Sequence, residues 1–193
     1  MIILYCFLFS SSLLGQINKY NQLLDSATKC AGLFTGIRPA INEKLDIRDT
    51  TFYKENLNES PLHKVDNKAL VELIQNCKNA DTTNWTDKEI KRSILVKNRD
   101  DLVSLKQVIA KFNLIDKKDI KLYRKQVNNF NNTNSWDKNI SYFSRPIFDN
   151  SKKYAVIYFD NGHSGLNGGG HIDLFFFSND NWQQIGTLTR WNY

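Results

Sequence analysis

Four side chains of types that could carry chemistry lie close together near the C-terminus: Asp160, His163, His171 and Asp173. They surround the connection from Asp160 to Gly170, which holds five of the chain's nine glycines. Two histidines and two aspartates can ligate a divalent metal if a hairpin brings them together. However, His163 and His171 stand eight positions apart across a flexible loop, which matches no familiar ligand spacing. A long β-connection that needs positive φ angles explains the glycines as well. No metal and no other cofactor is therefore expected, and a hydrolase working through a metal or through these carboxylates and histidines stands as an alternative. Gly165-Leu166-Asn167-Gly168 lacks the Lys-Ser/Thr of a phosphate-binding loop, and the strand-like run that follows supplies no helix. Ser164 sits in Gly162-His163-Ser164-Gly165, which is not the Gly-x-Ser-x-Gly turn of a serine nucleophile.

The second chemical feature is charge. The net charge is +6, and residues 61–140 hold 16 Lys and Arg against 10 Asp and Glu, so the whole excess sits there. Lys117, Lys121 and Lys125 recur every four residues with Arg124 beside them. On a helix this spacing makes a basic stripe. It reads either as a solvated helix face or as a surface for an anionic polymer. Single-stranded nucleic acid needs interleaved aromatics for stacking, which the stripe lacks. Nucleic acid is not the expected partner.

The N-terminus bears on address. Ile2 to Phe9 is an apolar run followed by Ser10, Ser11, Ser12 and Gly15. Residues 1–15 read as a signal peptide with cleavage before Gln16, although its start carries no Lys or Arg. The run is shorter than the roughly 20 residues that span a bilayer. The expected location is periplasmic or extracellular, with no transmembrane segment in the mature chain. Export leaves two cysteines, Cys30 and Cys77. A disulfide between them would close a loop of 47 residues and contribute about 4 kcal/mol. A free Cys77 on the apolar face of a helix is the other reading.

These residues need elements to hold them. The spacing predicts four C-terminal strands, at 142–148, 154–159, 171–177 and 182–191. The second and third are apolar on both faces, which argues for cover on both sides. Pro146 assigns the first strand to an edge. In the fourth, Ile185 and Trp191 alternate against Trp182 and Leu188. Upstream, Ile17, Tyr20, Leu23, Leu24 and Ala27 share a helical face. Asp66 caps a helix running to about Asn79, and Asp116 caps another through Ile120, Tyr123 and Val127. Thr86 and Glu89 form a capping box, with Trp85 and Ile90 as its hydrophobic staple. Asp100 or Asp101 opens a helix through Leu105, Val108 and Phe112. Thr50–Tyr53 reads as a short strand and Asn128–Asn132 as loop, while Trp136 and Ile140 tuck a connector against the sheet. The expectation is one α+β domain over residues 16–193. N-terminal helices, within 16–130, pack on a C-terminal four-stranded antiparallel meander, within 142–191.

Ser144-Arg145-Pro146-Ile147-Phe148-Asp149, then Tyr154–Tyr158, the glycine loop, Asn181-Trp182 and the closing Trp191 resemble a set of uncharacterised exported proteins of Bacteroidetes. The resemblance covers roughly the last 80 residues and extends to the helix from Asp119 to Gln126. Members often carry a cysteine in the loop, where this chain has His163. The resemblance implies an exported α+β domain and no particular activity. Together with the residues above, it leads to an expectation of a non-catalytic binding or interaction domain with a protein or glycan partner.

Overall fold

The computed structural model describes residues 18–40, 65–162 and 168–192, apart from the Cys30 side chain. The expected strand at Thr50–Tyr53 and the signal segment lie outside the described residues. The first helix, α1, occupies residues 18–27 and tightens into a 3-10 turn at Thr28–Cys30. Helices α2 (Asn67–Cys77), α3 (Leu105–Phe112) and α4 (Lys117–Asn132) follow. The strands are β1 (Phe34–Gly36), β2 (Ile94–Val96), β3 (Ile140–Phe143), β4 (Ile147–Phe148), β5 (Tyr154–Gly162), β6 (Gly169–Ser178) and β7 (Asn181–Asn192). They form a seven-stranded mixed sheet in the order β2-β1-β3-β5-β6-β7, with β4 also paired to β5.

The α+β class holds, but the four-stranded meander is too small. Two strands come from the half expected to be helical, and β1 runs parallel to both β2 and β3. Each is three residues long, too short for alternation to reveal it. The expected strand at 142–148 breaks in two at Pro146, which has no N–H to donate. At the break Ser144 substitutes for the ladder. Its backbone N–H donates to the Tyr158 carbonyl, and its Oγ accepts the Tyr158 N–H at 2.9 Å. β3 therefore lies inside the sheet, and of the two pieces only the short β4 is paired on one side alone.

The sheet is covered on both faces. On one, Val65, Ala69 and Leu73 pack on Val156, Tyr158, Ile172, Leu174 and Leu188. On the other, Leu23, Leu24 and Ala27 of α1, with Trp85 and Ile90, cover Phe143, Ala155, Ile157 and Phe175. Each such fully buried Leu, Ile or Phe contributes about 1.5–3 kcal/mol. Helices α3 and α4 cover Phe34, Ile94, Val96 and Ile140. Register places Ile140 and Tyr142 opposite Gly162 and Asp160, so these helices share the α2 side of the sheet.

Two helix starts match the sequence reading and two do not. Asp66 and Asp116 cap α2 and α4 by accepting the N–H of Lys68 and Lys118, at 3.0 and 2.6 Å. Glu89 does bond the Thr86 N–H at 2.9 Å, but only a single turn follows before the chain enters β2. Lys111 Nζ closes that turn on the Asp87 and Ile90 carbonyls. The complete capping box belongs to Ser104 and Gln107, which open α3. Asp101 instead accepts the Asn98 N–H, and Asp100 the Ser135 hydroxyl. The asparagine run Asn128–Asn132 is helical and finishes α4, anchored by Phe130 stacked 4.0 Å from Phe34. Ile140 is buried as expected, whereas Trp136 is 71% exposed.

Cys77 is a free thiol, half-buried under the α2 cluster. The turn that carries Cys30 continues α1, which covers the opposite face of the sheet. Of the two readings of Cys77, the free thiol rather than the pairing with Cys30 is its state here. Burial pushes its thiol up to about 11. Because the thiolate is the nucleophile, alkylation of Cys77 at pH 8 is expected to run about a hundredfold slower in the folded protein than in urea. Mass spectrometry of the Cys77 peptide reads that ratio, and equal rates would show that the thiol is not sheltered.

Candidate functional site

The glycine-rich hairpin does not gather its four polar residues. Asp160 pairs with Gly170 and faces the α2 side, where the Tyr158 hydroxyl donates to its Oδ2 at 2.6 Å. His171 and Asp173 face the other way, opposite Phe159 and Ile157. Their side chains do meet. His171 Nε2 lies 3.1 Å from Asp173 Oδ2, Thr187 Oγ1 donates to Oδ1 at 2.7 Å, and the imidazole packs 4.8 Å from the Phe159 ring. The buried Asp173 carboxylate is thus matched by a donor on each oxygen. His163 lies outside the described residues. Among the described residues, no three His, Cys, Asp or Glu side chains are grouped to hold a metal ion.

Gly169 and Gly170 have a different explanation from the expected one. No described glycine has positive φ. A Cβ on Gly170 would stand 2.4 Å from the Phe159 carbonyl oxygen and 2.2 Å from the Trp191 ring. A Cβ on Gly169 would meet the Trp191 carbonyl at 2.6 Å. Close approach of neighbouring strands, rather than turn geometry, excludes a side chain at both positions.

Lys117, Lys121, Arg124 and Lys125 lie on the outer face of α4, all exposed, and pair with no described carboxylate. The stripe is a solvated helix face with its charge available.

The sequence reading missed Arg145. Its guanidinium is buried and stacks 4.0 Å from the Trp85 ring. It donates to the Thr83 and Asn84 carbonyls at 3.3 and 2.8 Å, to the Tyr20 hydroxyl at 3.0 Å and to both Glu89 oxygens. Every donor of the planar fork is engaged, so Arg145 joins α1, the 81–89 segment and the sheet rather than awaiting a ligand. Other residues of the same motif are equally occupied. Asp149 accepts the N–H groups of Lys153 and Tyr154 at 2.9 and 2.8 Å and closes the turn into β5. Trp182 Nε1 reaches the Lys19 carbonyl at 2.8 Å.

Among the described residues, a cleft of about 440 Å³ lies open at the C-terminal end of α4. Gly32–Phe34 line it from β1, Gln126, Asn129 and Thr133 from α4, and Asp137–Asn139 from the segment leading to β3. The side chains of Gln126, Asn129, Asp137 and Asn139 make no hydrogen bond among the described residues. The frame around them is fixed. Asn131 exchanges hydrogen bonds with Val103, and Lys138 Nζ sits 4.6 Å over Phe130 while donating to the Asp101 carbonyl. Arg99 holds the Ser135 and Trp136 carbonyls and reaches the Gly162 carbonyl at 3.1 Å. A small polar molecule fits such a site by size and by hydrogen-bonding capacity. The sequence signals were the asparagine run and Trp136, and neither implied convergence with Gly32. Compared with protein-family models, curated proteins and solved structures, the chain matches none.

Proposed function

We propose that the chain is an exported, non-catalytic binding domain whose ligand seats in the cleft between the end of α4, β1 and the Asp137–Asn139 segment. One observation carries this reading: four unpartnered polar side chains converge on one cleft of about 440 Å³, held by a hydrogen-bonded frame. Elsewhere, the polar groups that looked chemical are either matched, as at Asp173, or divided between the two faces of the sheet, as with Asp160 and His171, and the buried Arg145 is fully engaged. Export rests on the Ile2–Phe9 run. Among the described residues, no helix is long and apolar enough to cross a membrane.

The test is a thermal-shift screen of small polar compounds against the parent and an Asn129→Trp variant. Asn129 is exposed and lines the cleft, so tryptophan there obstructs it. At a ligand concentration of 100 Kd the parent should gain about 2.7 kcal/mol. Compounds that stabilise the parent and not the variant support the site. A screen in which every shift is shared by both proteins, or none occurs, removes it.

A further inference from the structure

We infer that the cleft takes a neutral sugar residue, with Trp136 as its stacking platform; this rests on the cleft being the binding site. Three observations point to that chemistry. The first is the kind of polar group on offer. Gln126, Asn129 and Asn139 present amides, each with a donor and an acceptor. A sugar hydroxyl also donates and accepts, so neighbouring hydroxyls match neighbouring amides without a charge on either side.

The second is charge balance. The ionisable side chains lining the cleft are Asp137 and Lys138, one of each sign. The Lys138 ammonium is already spent on the Phe130 ring and the Asp101 carbonyl. The basic stripe of α4 faces solvent. The lining therefore offers no free cation to an anionic ligand, and burying an anion beside the Asp137 carboxylate would be costly.

The third is Trp136. A large indole that is 71% exposed is uncommon, since tryptophan is ordinarily well buried. Its backbone is pinned. The Trp136 N–H donates to Asn134 Oδ1 at 3.3 Å, and its carbonyl accepts from Arg99 at 3.3 Å. Its ring stacks on no described residue, and it belongs to the turn Ser135–Asp137 that supplies Asp137 to the cleft. A solvent-facing indole on a turn whose backbone is held offers a flat apolar surface to the C–H face of a pyranose, while the amides address its hydroxyls.

The full chain would be applied to an array of neutral oligosaccharides built on glucose, galactose, mannose and N-acetylglucosamine, beside sulfated and uronic-acid sugars. Titration of the best neutral sugar, followed by intrinsic fluorescence and calorimetry, would then compare the parent with Trp136→Ala and with a Gln126→Ala/Asn129→Ala double variant. All three positions lie outside the buried core, so these variants should keep their fold, checked by circular dichroism. The expected result is saturable binding of a neutral sugar, weakened at least tenfold in each variant and insensitive to salt. Binding of acidic sugars alone, or neutral-sugar binding untouched by both variants, overturns the assignment. Should Asn129→Trp block small molecules that are not sugars, the cleft stands and the sugar falls. Should it block nothing, both fall.

Discussion

Arg145→Ala is expected to lower folding stability by about 3–5 kcal/mol, the range for removing one member of a buried ion pair. The Arg145 side chain is 7% exposed and that of its partner Glu89 is 26%. Truncation takes the counter-charge from Glu89, leaving it Thr86 alone, strands the Thr83 and Asn84 carbonyls, and removes the cation stacked on Trp85. For a chain of this size the loss corresponds to a fall in Tm of about 6–20 °C. Arg145→Lys should recover little, because an ammonium reproduces neither the planar fork nor the stacking. Lys91→Ala is the control. The Lys91–Asp25 pair spans 3.9 Å between exposed side chains, and such pairs contribute about 0–1 kcal/mol. Urea unfolding reads all three variants, and an Arg145→Ala loss no larger than the Lys91→Ala loss would place Arg145 among ordinary surface cations.

The same cluster sets a pH dependence. Burial pushes the Glu89 carboxyl up, but hydrogen bonds from Arg145 and Thr86 outweigh it and hold the group below the usual glutamate range. A carboxyl depressed in the folded state stabilises the fold above its unfolded pKa of about 4.3 and loses that contribution as pH falls through the lower folded value. The parent should therefore lose stability on acidification below about pH 4.3, and Arg145→Ala, which keeps only the Thr86 bonds to Glu89, should show less of that slope.

Gly170→Ala is expected to cost about 3 kcal/mol, the upper end for overpacking a dense interior. The added methyl meets the Phe159 carbonyl of the neighbouring strand at 2.4 Å. That oxygen belongs to a paired backbone and cannot rotate away. The Trp191 ring, 2.2 Å from the same methyl, is stacked 4.9 Å from Tyr158. Gly32→Ala provides the contrast. Its Cβ would meet only Ser141 Oγ at 3.8 Å, and the residue has no positive φ. There, the reduced freedom of the unfolded chain should stabilise by about 0.4–1 kcal/mol. Opposite signs for one chemical change, measured by urea unfolding, are the expected result. Equal small effects would mean that the β5–β6 spacing relaxes freely.

What could be read from the residues was whatever repeats over a long enough stretch. α2 and α4 combine an aspartate cap with apolar spacing over three turns or more. β5 and β6 are long and apolar on both faces. The strands β1 and β2 carry no such repeat, and β1 joins β3 at Thr35 and Ser141, over a hundred positions apart. Asn128–Asn132 shows tertiary contact overruling composition, since Phe130 needs the helix to reach Phe34. At Thr86 and Glu89 a true local bond was present, but Glu89 serves Arg145 as well as the cap. The proximity of Asp160 to His171 in sequence was misleading for a geometric reason. Hairpin register sets Asp160 against Gly170, so the next residue of β6 must point to the opposite face. The cleft joins Gly32–Phe34 to the stretch 126–139, far apart in sequence, and leaves no short motif behind.

The fourth C-terminal strand departs from simple alternation in an instructive way. Ile185, Leu188 and Trp191 are spaced by three, yet all pack on the α2 side. Two irregularities in the pairing of β6 with β7 make this possible, each letting one extra residue of β7 oppose the same length of β6. β7 is also the terminal strand of the sheet, twelve residues long. A flat edge of that length would be an open template for another chain to continue the ladder. The residues that let β7 deliver three large side chains to one face therefore also break its outer rim into short, misaligned pieces. A regular incoming strand can match one piece but not the whole, so the packing solution for the core doubles as protection against self-association through the sheet edge.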